Sequence, residues 1–192
     1  MPPSSTPHGQ FGLPSNQPYN PGAGPVKRTL WYFCNALIFK SYLLPISGIK
    51  VFFLRLFGAS VGKGVVIKPN VNIKYPWKLE IGNYSWIGEE VWIDNLAPVK
   101  IGAHCCISQG ALLLCGNHDY SKPGFDLITR EIHLEDGVWI GAKCLVCPGT
   151  RAGAQAVLAA GSVAKGTLEP AGIYQGNPAV KIKERIFKAE GN

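Results

Sequence analysis

A chain of 192 residues permits one domain with an appendage, and an apolar content of 46% is enough for a continuous core. The formal net charge of +7 favours anionic partners, a phosphate-bearing cofactor or a membrane surface, while nucleic acid is set aside because no run of Lys or Arg interleaved with aromatics occurs. The 23 Gly and 15 Pro call for a fold with many turns.

Residues 1–26 are dominated by Pro, Gly, Ser, Asn and Gln, hold no charge and have little to bury, so the composition predicts a disordered tail. They lack the basic start and unbroken apolar region of a secretory leader. Residues 27–57 are apolar but interrupted by Lys40, Lys50 and Arg55 and divided at Pro45 and Gly48. Their longest charge-free runs are about ten residues, against roughly 20 needed to cross a bilayer. Two readings follow: a helical cap over the open end of the fold, or an interfacial segment in peripheral contact with a membrane through Trp31, Tyr32 and Phe33.

From Gly58 the chain counts in sixes. Aliphatics stand at Val61, Ile67 and Ile73, then at Ile81, Ile87, Ile93 and Val99 after a slip of two, then at Ile101, Ile107 and Leu113 after another. Leu134 to Val163 divides into LEDGVW, IGAKCL, VCPGTR, AGAQAV and LAAGSV. Each block opens on an aliphatic or Ala, and its fifth place is small or β-branched: Val138, Cys144, Thr150, Ala156, Ser162. A period of six is neither 3.6 nor 2, and it marks a solenoid in which each six is one short strand plus a bend. Residues 58–178 are expected to form four to five triangular coils, all-β and parallel, broken by a loop over residues 114–133. AVKIKERIFKAE then reads as a short C-terminal helix within 179–192, with Ile182 and Ile186 packing back as a second cap.

The six cysteines do not read as a disulfide framework, and the single CxxC of Cys144 and Cys147 has no second pair to complete a zinc site. Cys105 and Cys144 occupy small fifth places, which explains them as packing residues. Reduced thiols imply a cytoplasmic protein.

The loop carries the chemistry. It holds His118, Asp119, Tyr120, Lys122, Asp126, Arg130 and His133, and a long excursion from an otherwise tight solenoid is commonly functional. His118 follows directly on the coil that the loop leaves. It suits a general base, against the alternative of a surface His that merely hydrogen-bonds.

The sixes, the GNHD segment, the run GVWIGAKCLVCPGTRAG and the closing QGNPAVKIKERI together resemble the hexapeptide-repeat O-acetyltransferases. RLFGA, IDNLAPVKIG and HDYSKPGFDLI are most similar to the WcaF-type colanic acid biosynthesis branch. The resemblance covers about residues 28–187. It implies a left-handed β-helix, an acetyl-CoA-dependent acetyltransferase without a metal, a sugar or saccharide acceptor in cell-surface polysaccharide synthesis, and a homotrimer with its sites between neighbouring prisms. His118 matches the family's catalytic base, and Trp139 a Trp near acceptor and thioester. An Asn of the galactoside branch falls on Gly88 here, so Asp94 or Asn95 is expected to take its acceptor-binding role, and Asp119 to orient the His118 ring. Ala142, Ala160 and Gly161 fit the backbone wall of the CoA groove, with Lys165, Lys181, Lys183 and Arg185 for its phosphates. Two other classes are weighed against this: a non-catalytic scaffold on the same solenoid, which His118 on an intact loop argues against, and a γ-carbonic-anhydrase-like zinc enzyme using His104, His118 and His133, whose pattern needs two ligands five residues apart, a pair the sequence lacks.

Overall fold

The computed structural model describes residues 19–122 and 124–187. From Ser60 the chain winds through three parallel sheets, the flat sides of a triangular prism. The first face stacks strands Ser60–Val61, Leu79–Ile81, Val99–Ile101, Ile132–Leu134, Arg151–Ala152 and Thr167–Leu168. The second runs from Val66–Ile67 through Trp86–Ile87, Cys106–Ile107, Trp139–Ile140 and Val157–Leu158 to Gly172–Gly176. The third runs from Asn72–Ile73 through Trp92–Asp94, Leu112–Leu114 and Leu145–Val146 to Val163–Ala164. The prism therefore has five complete coils and two sides of a sixth, somewhat more than the four to five expected.

The period of six follows from the cross-section. The opening aliphatic of each block points inward: Ile67, Ile87, Ile107 and Leu158 are each 0% exposed. Each such side chain contributes about 1.5–3 kcal/mol by leaving water. Fifth-place residues turn inward at the corners, and Ser85, Cys105, Val138 and Ala156 are all buried. The polar ones are satisfied by backbone, since Ser85 Oγ donates to Gly102 O at 2.7 Å and Thr150 Oγ1 to Cys147 O at 2.8 Å. The second place is tight because coils touch there: a Cβ on Gly141 would lie 2.6 Å from Ala160 N.

Every slip in the count leaves the prism at one corner, between third and first faces. The first adds a 3-10 turn at Pro76–Lys78. The second is residues 95–98, and the third is the 115–131 excursion, which contains an antiparallel hairpin of Gly116–His118 and Leu127–Thr129. The three insertions stack. Asn95 holds the backbone of Tyr75 through Tyr75 N–H to Oδ1 at 2.9 Å and Nδ2 to Tyr75 O at 2.6 Å. Ile132 N donates to Pro98 O, and Cys115 N to Asp94 O.

The first coil's edge would expose unpaired backbone on all three sides, and residues 25–57 cover it. Helix α1 (Pro25–Cys34) continues through a π-helical turn at Asn35–Phe39, and helix α2 (Ser47–Leu56) follows. On the third face Trp31 Nε1 donates to Ile73 O at 2.8 Å, and Asn35 Oδ1 accepts from Ile73 N. On the second, the buried Lys50 donates to Ile67 O and Lys68 O, and Ser47 Oγ accepts from Ile67 N. On the first, Arg55 donates to Val61 O and Gly62 O. Trp31 anchors the cap between Phe39 and Phe57, both centroids 5.2 Å away.

Two expectations about the chain ends need correction. Residues 19–24 do not form part of a disordered tail: Tyr19 donates from its hydroxyl to Leu96 O at 2.7 Å, and Pro21 O accepts from Trp77 Nε1. Residues 1–18, the rest of that expected tail, lie outside the described residues. At the other end Ala179–Glu184 is a strand, antiparallel to Gly172–Gly176, and not a helix. Pairing to the last strand of the second face supplies backbone partners that a helix would have left unmet. Ile182 and Ile186 are exposed and do not pack back. Residues 188–192 lie outside the described residues.

Candidate active site

His118 ends the first arm of the hairpin, paired with Leu127. The hairpin rises from a fixed base. Lys78 Nζ donates to Leu96 O at 2.7 Å and to the Tyr19 hydroxyl at 3.0 Å, which holds Leu96 under Gly116. Burial pushes the Lys78 ammonium below its ordinary value and the Tyr19 phenol above its own.

The imidazole is oriented by backbone. His118 Nδ1 lies 2.8 Å from Phe125 O. A carbonyl oxygen only accepts, so Nδ1 carries the proton and the lone pair sits on Nε2. The ring also stacks on the Phe125 ring, centroids 4.4 Å apart and planes 9° from parallel. Phe125 reaches this position with a φ of 47°, left-handed backbone that is uncommon outside glycine. Asp119 does not orient His118: its carboxylate accepts from Ser121 and pairs with Lys122, and the Ser121 contact above all holds its pKa low. Sequence reasoning missed Phe125. The aromatic inside HDYSKPGFDLI was the available signal, but its carbonyl role depends on a backbone angle that the residue type does not announce.

The residues expected to bind acceptor separate on inspection. Asp94 ends a strand of the third face in register with Leu114, beside the root of the hairpin. Its carboxylate lies 2.9 Å from Lys74 Nζ in the wall of a cleft of about 610 Å³ between that face and α1. Arg28, Tyr32, Lys40 and Trp92 line the same cleft. Asn95, by contrast, is fully buried, and its amide is occupied on both atoms by Tyr75. It is a staple between insertions, closed to a ligand by its burial. Gly88 cannot be the site of an acceptor-binding Asn in this backbone, because a Cβ there would fall 2.7 Å from Gln109 N.

Trp139 stands outward on the second face between Cys106 and Val157, half exposed, with Nε1 donating to Ser108 Oγ at 3.0 Å. Ser108, which fixes the indole, was also unforeseen. His118 and Trp139 belong to different sides of the prism, so one chain alone presents them apart.

The expected CoA residues fall into three places. Ala142 O accepts from Gly161 N at 2.8 Å, so Ala142, Ala160 and Gly161 stack on successive coils at the corner between second and third faces. Gly161 is exposed with open space beside it. Lys165 is exposed at the corner between third and first faces. Lys183 is exposed on the C-terminal strand, where Lys181 is held between Glu169 and Glu184. Arg185 donates to Gly137 O and Gln155 O, both at 3.2 Å, and so fastens that strand to two coils.

Five of the six thiols are held in their protonated form by packing. Burial pushes Cys34, Cys105 and Cys115 up to about 11 and raises Cys144 and Cys147 as well. His104 stacks on Tyr84 at a corner, and His133 lies on the first face in register with Lys100 and Arg151. Among the described residues no group of three or more His, Cys, Asp or Glu side chains comes together to hold a metal ion.

The chain is 38% identical over 165 residues to WcaF of Escherichia coli strain K12, named for acetyl transfer in colanic acid biosynthesis, covering 86% of this chain and 91% of that protein. It belongs to the WcaF-type hexapeptide-repeat acetyltransferases. Solved structures share the fold. The hexapeptide-repeat acetyltransferase of Vibrio cholerae complexed with acetyl-CoA matches with a TM-score of 0.76 at 22% identity, over 84% of this chain and 88% of its own. A galactoside acetyltransferase in complex with coenzyme A matches with a TM-score of 0.74 at 23% identity, over 84% and 82%. No protein-family profile matches the chain. Membership makes this WcaF-type protein an acyltransferase. Among its described residues no helix is long and apolar enough to cross a membrane.

Proposed function

We propose that this acetyltransferase moves the acetyl group of acetyl-CoA to a hydroxyl of a saccharide in cell-surface polysaccharide synthesis, with His118 as general base. The observation that carries this reading is the 2.8 Å contact of His118 Nδ1 with Phe125 O, which leaves the basic lone pair on Nε2. Nε2 takes the proton of the acceptor hydroxyl as its oxygen attacks the thioester carbonyl. The tetrahedral intermediate collapses with loss of the CoA sulfur, which recovers the proton from Nε2. Such help is worth about 10²–10⁴ in rate, and holding both substrates in one groove supplies much of the remainder.

The acceptor occupies the cleft beside Asp94, where aromatic faces and charged groups suit a sugar. The pantetheine arm lies along Ala142, Ala160 and Gly161, with Lys165 and Lys183 toward the phosphates. Trp139 and His118 stand on different faces, which is the arrangement expected if a homotrimer completes each site from two neighbouring prisms.

The test is thiol release from acetyl-CoA against a panel of mono- and oligosaccharides, with His118→Ala beside the wild type. Turnover should fall by about 10²–10⁴ while oligomer mass and CoA binding are retained. Wild-type-like turnover in the variant would sink the mechanism.

A further inference from the structure

The cap over the first coil has an outer side that the prism does not use. On α1, Val26, Leu30, Phe33 and Leu37 recur at helical spacing and are 73%, 58%, 56% and 72% exposed. On α2, Ile49, Phe52 and Leu56 form the matching stripe, and Leu43 on the connection is 93% exposed. The inward side chains Trp31, Phe39, Lys50 and Leu54 are buried. Both helices thus keep a second apolar face after satisfying the fold. Because their contacts reach all three edges of the first coil, these faces together form a floor across one end of the prism.

The charge around this floor has one sign. Residues 1–79 hold nine of the 19 Lys and Arg and none of the 12 Asp and Glu. Lys27, Arg28, Lys40 and Arg55 lie on the cap itself and are exposed. Of the acidic groups beyond it, Glu90 reaches the cap, bonded to Tyr42, and is neutralised by Lys143; its neighbour Glu89 pairs with Lys68. An apolar floor rimmed by cations and aromatic residues matches the headgroup boundary of an anionic bilayer. A second copy would bring the same cations against these, which disfavours self-association. Residues 1–18 offer only Met1, Phe11 and Leu13 as large apolar side chains, too few to cover the floor.

We infer that the outer face of α1 and α2 seats this protein on an anionic membrane surface, without crossing it. This is independent of the acetyl-transfer reading. Each surface-facing cation adds about fivefold to affinity for an anionic leaflet, and apolar burial supplies the rest.

The experiment is co-sedimentation of the full chain with vesicles of phosphatidylcholine alone or with about 30% phosphatidylglycerol. Binding to the anionic vesicles is expected, weaker by about tenfold or more on the neutral ones and at high salt. Leu30→Glu with Leu37→Glu, neither of which lines the cleft beside Asp94, and separately Phe52→Glu with Leu56→Glu, should each reduce binding by about tenfold or more. Thermal unfolding and acetyl transfer to a soluble acceptor should stay near wild type, since these side chains face away from the prism. Phe11→Glu with Leu13→Glu should leave binding unchanged. Absence of wild-type binding, or equal binding by the α1 and α2 variants, overturns the inference. So does loss of binding in the Phe11 and Leu13 variant, which would move the contact to the first residues. A smaller oligomer in the α1 or α2 variants would likewise overturn it, by showing that the floor is buried between copies.

Discussion

His118 and Phe125 are joined twice, by Nδ1 to the Phe125 carbonyl at 2.8 Å and by stacked rings 4.4 Å apart. The first contact selects the tautomer and the second fixes the ring plane, so the imidazole has a set orientation on an exposed hairpin. Neither contact involves a carboxylate. The ring is set by backbone geometry and by the Phe125 stack.

Phe125→Ala keeps the carbonyl but removes the stack. The imidazole then gains rotational freedom, and misorientation of a base is costly even when every group is present. The turnover number should fall by about tenfold, with KM for acetyl-CoA unchanged and the fold intact by thermal unfolding. A variant that turns over like wild type would show that the carbonyl alone suffices.

Asp94 and Asn95 are neighbours with opposite expectations. Asp94, itself buried but for one edge, lines the cleft beside α1 and pairs with Lys74, whereas Asn95 is fully buried and spent on the Tyr75 backbone. Asp94→Asn should raise KM for the saccharide while leaving KM for acetyl-CoA and stability nearly unchanged. Asn95→Ala leaves the Tyr75 N–H unpaired and its carbonyl with only the Lys78 N–H, and should cost about 1–3 kcal/mol of stability. Measuring both variants by denaturant unfolding and steady-state kinetics separates the roles. A raised saccharide KM in a stable Asn95→Ala protein would reverse the assignment.

Arg185 was expected at a CoA phosphate, but its guanidinium is held by Gly137 O and Gln155 O. Arg185→Ala should therefore loosen the C-terminal strand, seen as faster amide exchange over residues 172–184, with CoA affinity little changed. Lys183→Ala should do the reverse, weakening CoA by about 2–10-fold as one surface phosphate contact is lost. Equal losses of CoA affinity in the two would restore Arg185 to the phosphates.

The prism was legible because its constraint is local. An aliphatic at Ile87 and a small residue at Cys105 are demanded by the same cross-section at every coil, and six is a spacing that no helix or simple strand imitates. The hairpin was legible as a break in that count, and His118 as the imidazole that it carries. Phe125, Ser108 and the staple role of Asn95 were hidden because each rests on contacts between segments distant in sequence or on a backbone angle. The C-terminal strand was misread for a related reason. AVKIKERI alternates as well as it spirals, and the unpaired edge of Gly172–Gly176, which decides the matter, is visible only once the sixth coil is built.

Lys50 offers a check on the cap itself. It is fully buried at the prism end, and its ammonium donates to Ile67 O and Lys68 O, while desolvation above all lowers its pKa from 10.5. Lys50→Met fills the same space but leaves both carbonyls without that donor, which should cost about 1–3 kcal/mol at neutral pH. The sign of the pH dependence follows from proton counts. Between the lowered folded value and 10.5 the unfolded chain holds the Lys50 proton more often than the folded chain does, so stability rises with pH across that interval. The wild type should thus gain stability relative to Lys50→Met as pH climbs from neutral toward 10.5, read as the difference between two denaturant-unfolding series. A difference that stays flat or shrinks over that range would mean that the ammonium reaches water and that the cap sits more loosely on the first coil.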